Sequence, residues 1–349
     1  MSYKNTVKLF ASNFMLVWKQ VLYTLICTLI CALLTYSTLT PVIELFEENN
    51  IIVELEHLFE VVYASPKELA LKLSDFSNHA IDVIFSNISS IAWNLIGGVI
   101  LGVFLPYILI QMSFYNVASI IHQKATMNMD VPYVQNFVSN LWISIRYATA
   151  KFVLNLPFLA IIILIVEIYL TIAKTIISAL VGLSVLAAAI IFVSAIKMSL
   201  YSYQTGYMVE HKCGPFVAFG KSFKNIFKRF WKVMSITIAV IFTVIFVNSF
   251  IMVFTFFAGS FVIIPATYVF VATYYLVVYL NISGERYYLG NNMIFNPVKY
   301  VIKKDNNLIE TNIPEEIKEV EVTTAVMKKK KAPKDKKIKT SKKKSKNKK

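Results

Sequence analysis

Residues 233–284 run for fifty-two positions without one charged side chain. A helix crossing the hydrocarbon core of a bilayer, about 30 Å thick, uses about 20 apolar residues. One helix cannot use the whole run, which divides into two spans near Gly259 and Ser260. The same criterion finds four more. Residues 20–43 form the first span, and residues 90–111 form the second, inside an uncharged stretch 83–121. Residues 152–196 hold the third and fourth, interrupted only by Glu167 and Lys174. The composition agrees: 57% of residues are hydrophobic and only 16% charged, against about half and a quarter in soluble domains. The predicted fold class is an all-α membrane protein with six transmembrane helices. Residues 20–43 exceed a signal-peptide core and lack an A-x-A-like exit, so they read as a retained span. Cys27, Cys31 and Cys213 have neither zinc-type nor redox spacing, and no disulfide framework is expected.

Flanking charges orient the spans. The N-terminal segment carries Lys4, Lys8 and Lys19 and no acid. The segment after span two has Lys124, Arg146 and Lys151 against Asp130. The segment after span four has Lys197, Lys212, Lys221, Lys224, Lys228, Arg229 and Lys232 against Glu210. Residues 44–82, between spans one and two, have nine acids and two lysines. The excess of basic residues in cytoplasmic segments then puts 44–82 outside and both termini in the cytoplasm. Residues 328–349 complete the pattern, with fourteen lysines and one acid. High Ile, Asn, Lys and Phe content suggests an AT-rich bacterial genome, so the expected location is a bacterial cell (inner) membrane.

Two motifs recur in step. Lys8, Phe10, Phe14, Trp18 and Lys19 share the pattern K-x-F-x3-F-x3-W-K with Lys221, Phe223, Phe227, Trp231 and Lys232. A degenerate copy runs through Gln135, Phe137, Leu141, Ile145 and Arg146. Apolar residues every four positions form one helical stripe, suited to lying in the headgroup layer before the chain turns into the bilayer. After the even spans come Tyr115-x3-Ser119, Tyr201-x3-Thr205-Gly206 and Tyr279-x3-Ser283-Gly284. The six spans therefore read as three repeated hairpins, each preceded by an interfacial amphipathic helix. The expected layout is a helix in 1–19, spans one and two in 20–121 with the acidic segment 44–82, and two further units in 122–196 and 197–290. A disordered cytoplasmic tail follows in 291–349, lysine-rich from 328.

On this pattern, residues 8–290 resemble the six-helix membrane domain attached to some bacterial glycerophosphodiester phosphodiesterases, and its stand-alone relatives. The resemblance implies a six-helix membrane fold alone, because no soluble phosphodiesterase domain accompanies it here. It transfers no catalytic residue.

In the acidic segment, apolar residues at 51, 52, 55, 58, 59 and 62 have amphipathic helical spacing. Ser65-Pro66-Lys67-Glu68 reads as a capping box opening a second helix. The pair forms a helical hairpin over the outer mouth, either a solvated cap or a surface for cations or a basic partner.

Polar candidates are few. Glu167 and Lys174 are either an intramembrane polar site or a pair near the outer interface, across the turn between spans three and four. Asn94, Gln111, Asn116, Asn155 and Asn248 either line a polar path or hydrogen-bond between helices. Gly98-x3-Gly102 permits close helix approach, including self-association. His122 and His211 follow even spans, but no H-E-x-x-H, P-loop, G-x-S-x-G or dinucleotide fingerprint appears. No catalytic, cofactor-binding or metal-binding residue is predicted, and the chain reads as no enzyme. In the tail, Lys328, Lys329, Lys330, Lys331, Lys342, Lys343 and Lys344 are candidates for contact with anionic lipid headgroups or with RNA. A tail without a partner is the third option. The expected role is to organise lipids or partner proteins at the cytoplasmic face. A permease or channel along the repeat interface, for a small-molecule substrate left open, is one alternative. An insertase-like factor with a ribosome-binding tail is the other.

Overall fold

The computed structural model describes residues 3–64, 66–172, 176–290 and 293–297. Short helix α1 (Tyr3–Ser12) leads into long helix α2 (Met15–Glu48), the first span. Helices α3 (Ile51–Ala64) and α4 (Pro66–Ser86) pack on each other as a hairpin. The chain returns through α5 (Ile88–Val99), a π-helical segment (Ile100–Phe104) and α6 (Leu105–Met127). The second unit is α7 (Tyr133–Ser139), α8 (Leu141–Ile172) and α9 (Ile176–His211). The third is α10 (Pro215–Phe227), α11 (Phe230–Phe254) and α12 (Ser260–Ser283). Six of these segments are long and apolar enough to cross a membrane. The element order is thus short helix, outgoing span, returning span, three times over. Because the crossings alternate, α1, α7 and α10 share the end of the bundle where α6, α9 and α12 finish.

Local chemistry sets the boundaries. Pro66 and Pro215 stand at first helical positions, where the missing N–H costs nothing. Asn128 (φ 52°) and Gly284 (φ 79°) end α6 and α12 in the left-handed conformation that closes a helix. Thr255 Oγ1 accepts the Gly259 N–H at 2.8 Å, and α12 begins at Ser260, where the long uncharged run is expected to break. The π-helical turn lies just before Pro106, which removes a backbone donor from the ladder.

The core sits at the end where the returning spans finish. Tyr115, Tyr201 and Tyr279, the three tyrosines of the recurring motif, are all buried there. Gly206 on α9 lies against Tyr279 on α12 so closely that a Cβ would overlap its ring. Elsewhere large apolar side chains point outward: Trp93 is 82% exposed, and Phe246 and Phe261 each 72%. In water such a surface is an aggregation hazard; in hydrocarbon it is matched to its solvent.

Several expectations change. Helices α6, α8 and α9 run well past the apolar segments at 90–111 and 152–196, because their polar residues find partners inside the bundle. Lys151 and Lys197, expected in basic loops, are therefore helical residues of α8 and α9. Trp18 and Lys19 belong to the start of α2, and Trp231 and Lys232 to the start of α11. Gly98 and Gly102 face Leu39 and Thr35 of α2, so their close approach is made within the chain. A hairpin of β1 (Tyr287–Gly290) and β2 (Met293–Phe295) follows α12, so ordered backbone passes the expected tail boundary at 291. Tyr287 anchors it, its hydroxyl accepting from Asn5 Nδ2 at 2.9 Å on α1.

Gly206→Ala should lower the melting temperature of detergent-solubilised protein, an overpacking cost of roughly 1–3 kcal/mol. Gly220→Ala, where a Cβ meets open space, should raise it slightly through helix propensity. Thermal denaturation followed by circular dichroism reads both signs.

Candidate functional site

Helical spacing builds the site. Tyr147, Lys151 and Asn155 are four residues apart on α8, and so are Lys197 and Tyr201 on α9, so each set shares a face. These faces turn toward α6 and α12 and enclose a cavity of about 280 Å³. Tyr107, Gln111 and Phe114 line it from α6, and Thr267, Tyr268, Val271 and Tyr275 from α12. Lys151 and Lys197 are its charged residues, and none of its lining residues is an acid.

Lys151 is 7% exposed. Its Nζ donates to Tyr147 Oη at 2.9 Å, and Tyr147 Oη in turn pairs with Thr205 Oγ1 at 2.9 Å. The ammonium lies 4.4 Å from the centre of the Phe114 ring and within 5.8 Å of those of Tyr147, Tyr201 and Tyr275. Aromatic faces stabilise a cation by about 0.5–2 kcal/mol each, which offsets part of the cost of burying it. A carboxylate would do more, and here none is supplied by the cavity wall. Tyr201 donates to Asn155 Oδ1 at 2.8 Å, and Asn155 Nδ2 donates to Tyr107 Oη at 2.5 Å, which holds the polar rim in place. Gln111 Oε1 is buried without a hydrogen-bond partner. The arrangement is a cavity with two basic residues in a polar and aromatic lining.

The predicted site residues fall elsewhere. Phe14, Trp18, Lys19, Lys221, Phe223, Phe227, Trp231 and Lys232 are exposed. Phe223, Phe227, Phe230 and Trp231 form a continuous aromatic surface, with ring centres 4.3 to 5.5 Å apart. Lys8 and Phe10 are half-buried instead: Lys8 Nζ donates to Met293 Sδ at 3.6 Å, and Phe10 packs edge-on against Phe270. The β hairpin and α12 therefore cover the start of the first copy, Lys8 and Phe10, while the corresponding Lys221 and Phe223 are open. Glu167 is exposed near the end of α8, well away from the cavity lining. Lys174, Ser65 and the tail lysines from Lys328 to Lys344 lie outside the described residues.

Four of the asparagines make helix-to-helix bonds. Asn94 donates to the Thr38 carbonyl at 2.9 Å, Asn155 reaches Tyr107, and Asn248 accepts from Thr267 at 2.9 Å. Asn116 accepts from the buried Asn136 at 2.6 Å, which ties α7 to α6. On the acidic hairpin, His79 Nδ1 meets Glu54 at 2.9 Å. Among the described residues, His122, Glu210 and Glu285 form the group of three suited to a metal ion. Burial, and then the neighbouring Glu210 carboxylate, push the Glu285 carboxyl up to about 7.

Counting charges along the chain hid Lys151 and Lys197 among loop residues. The available signal was their four-residue spacing to Tyr147, Asn155 and Tyr201.

Asn155→Leu should destabilise the protein by roughly 1–3 kcal/mol, because two tyrosine hydroxyls lose their partner. Thermal melts in detergent check this. Tyr36→Phe, on an exposed side chain, should leave the melt unchanged. No protein-family model matches the chain, nor does any curated protein or solved structure.

Proposed function

We propose that this chain is a multi-pass protein of a bacterial cell membrane that holds an anionic lipid headgroup in the Lys151–Lys197 cavity. It thereby organises lipid at the cytoplasmic face and catalyses no reaction. The observation that carries this reading is a cavity with two lysines and no acid among four membrane-length helices. Three further features support it. The basic flanks of the returning spans agree with a cytoplasmic location for the cavity end. The exposed Phe223–Trp231 surface suits a headgroup layer, where aromatic rings are favoured. Thr267 also borders a second cavity of about 250 Å³ between α1, α11 and α12, whose exposed wall is mostly apolar. A lipid, with charge at one end and hydrocarbon at the other, suits this pairing better than a free anion. The six-helix resemblance and a threefold internal repeat fit the same architecture.

The permease alternative draws on the same cavity, since it lies among three returning and one outgoing span. Four measurements separate these roles. Purified protein lacking residues 328–349 should retain phosphatidylglycerol over phosphatidylcholine in native mass spectrometry. Lys151→Met with Lys197→Met should abolish that preference, a loss of at least about tenfold, or 1.4 kcal/mol. Inorganic phosphate at millimolar concentration should not displace the lipid. Retention that ignores both lysines overturns the lipid role, and phosphate flux in proteoliposomes would establish transport instead.

A further inference from the structure

A second site stands at the end of the bundle, independent of the lysine cavity. His122 lies on α6, Glu210 on α9, and Glu285 just beyond α12, so each returning span supplies one member. The termination of α12 sets the last of these. Gly284, at φ 79°, and Glu285 both donate their backbone N–H groups to the Leu280 carbonyl, at 3.0 and 3.1 Å. This closes the helix and turns the chain back over its own end. The Glu285 carboxylate is thereby placed beside the His122 imidazole of α6 and the Glu210 carboxylate of α9.

Two of the three side chains carry a buried polar atom that no hydrogen bond satisfies. The His122 side chain is only 9% exposed, yet its Nε2 makes no hydrogen bond. The facing Glu210 Oε2 is also shielded from solvent without a hydrogen bond, 3.8 Å away. A buried polar atom left unpaired costs about 1–3 kcal/mol; two facing each other, with a second carboxylate nearby, are not a self-sufficient arrangement. One ligand atom from each residue lies within 4.8 Å of the other two. Around a zinc ion with bonds of about 2.0–2.2 Å, tetrahedral ligands stand about 3.3 Å apart.

We propose that His122, Glu210 and Glu285 bind one divalent transition-metal ion of the zinc class, joining the inner ends of the three returning spans. One imidazole nitrogen and two carboxylates suit such an ion better than calcium or magnesium, which favour oxygen alone. Three protein ligands leave a coordination position for water or an incoming group. Because only the folded bundle assembles the three, metal stabilises the fold by linkage.

The test uses the full chain, purified without a polyhistidine tag, stripped with chelator, and carrying His57→Ala and His79→Ala to remove the outer histidines. Zinc should bind at one ion per chain by elemental analysis and raise the melting temperature in a dose-dependent way. Magnesium at the same concentration should do neither. His122→Gln and Glu285→Gln should each weaken zinc binding at least about tenfold. Glu285 lies beyond the helix and is half-buried, so its substitution should fold even if His122→Gln does not. Zinc that fails to bind, or binds both variants as tightly as the parent, overturns the site.

Discussion

Hydrocarbon offers no hydrogen bonds, so every polar group carried into it needs a partner from the chain itself. Most of the architecture follows from that constraint. The backbone meets it by forming helices, and the side chains meet it mostly at the end of the bundle where the returning spans converge. There Tyr147 joins Lys151 to Thr205, Asn155 joins Tyr107 to Tyr201, and Asn136 joins α7 to Asn116. Away from this end the helices present leucine, isoleucine and phenylalanine outward, and need only a matched solvent. Polar pairing and close contact at small residues reinforce the buried apolar and aromatic cluster at this end, as expected where lipid tails compete for apolar surface.

The same constraint separates structural polar contacts from the two sites. Where pairing inside the bundle is complete, as in the asparagine contacts, the side chains are structural. Where it is incomplete, the side chains are the ones from which the two proposals start. Lys151 has rings and a hydroxyl but no counter-charge in its cavity, and His122 and Glu210 face each other without a bond. These departures from full satisfaction occur among residues of the returning spans α6, α9 and α12, with α8 added at the cavity. They differ in chemistry: one is lined by two lysines and no acid, the other combines an imidazole with two carboxylates.

Span number and helical class were legible in the sequence because charge-free length is a one-dimensional property. The acidic hairpin was legible too, since its apolar period and Pro66 are local signals, and α3 and α4 follow them closely. The lysine cavity was not. Lys151 and Lys197 look like ordinary flanking charges until it is known that α8 and α9 extend past their apolar stretches. Phe10 and Phe223 occupy equal positions in one motif, yet α12 covers the first and leaves the second open.

By itself, then, the amino-acid order determined six membrane-length helices, their grouping into short–long–long units, and an uneven distribution of charge between the two ends. These depend on length, period and composition, which neighbouring residues establish among themselves. Tertiary structure alone decided which polar residues are satisfied and which are left facing a cavity. That outcome depends on side chains from helices far apart in the chain, and only their packing brings Lys151 to Tyr275, or His122 to Glu210 and Glu285.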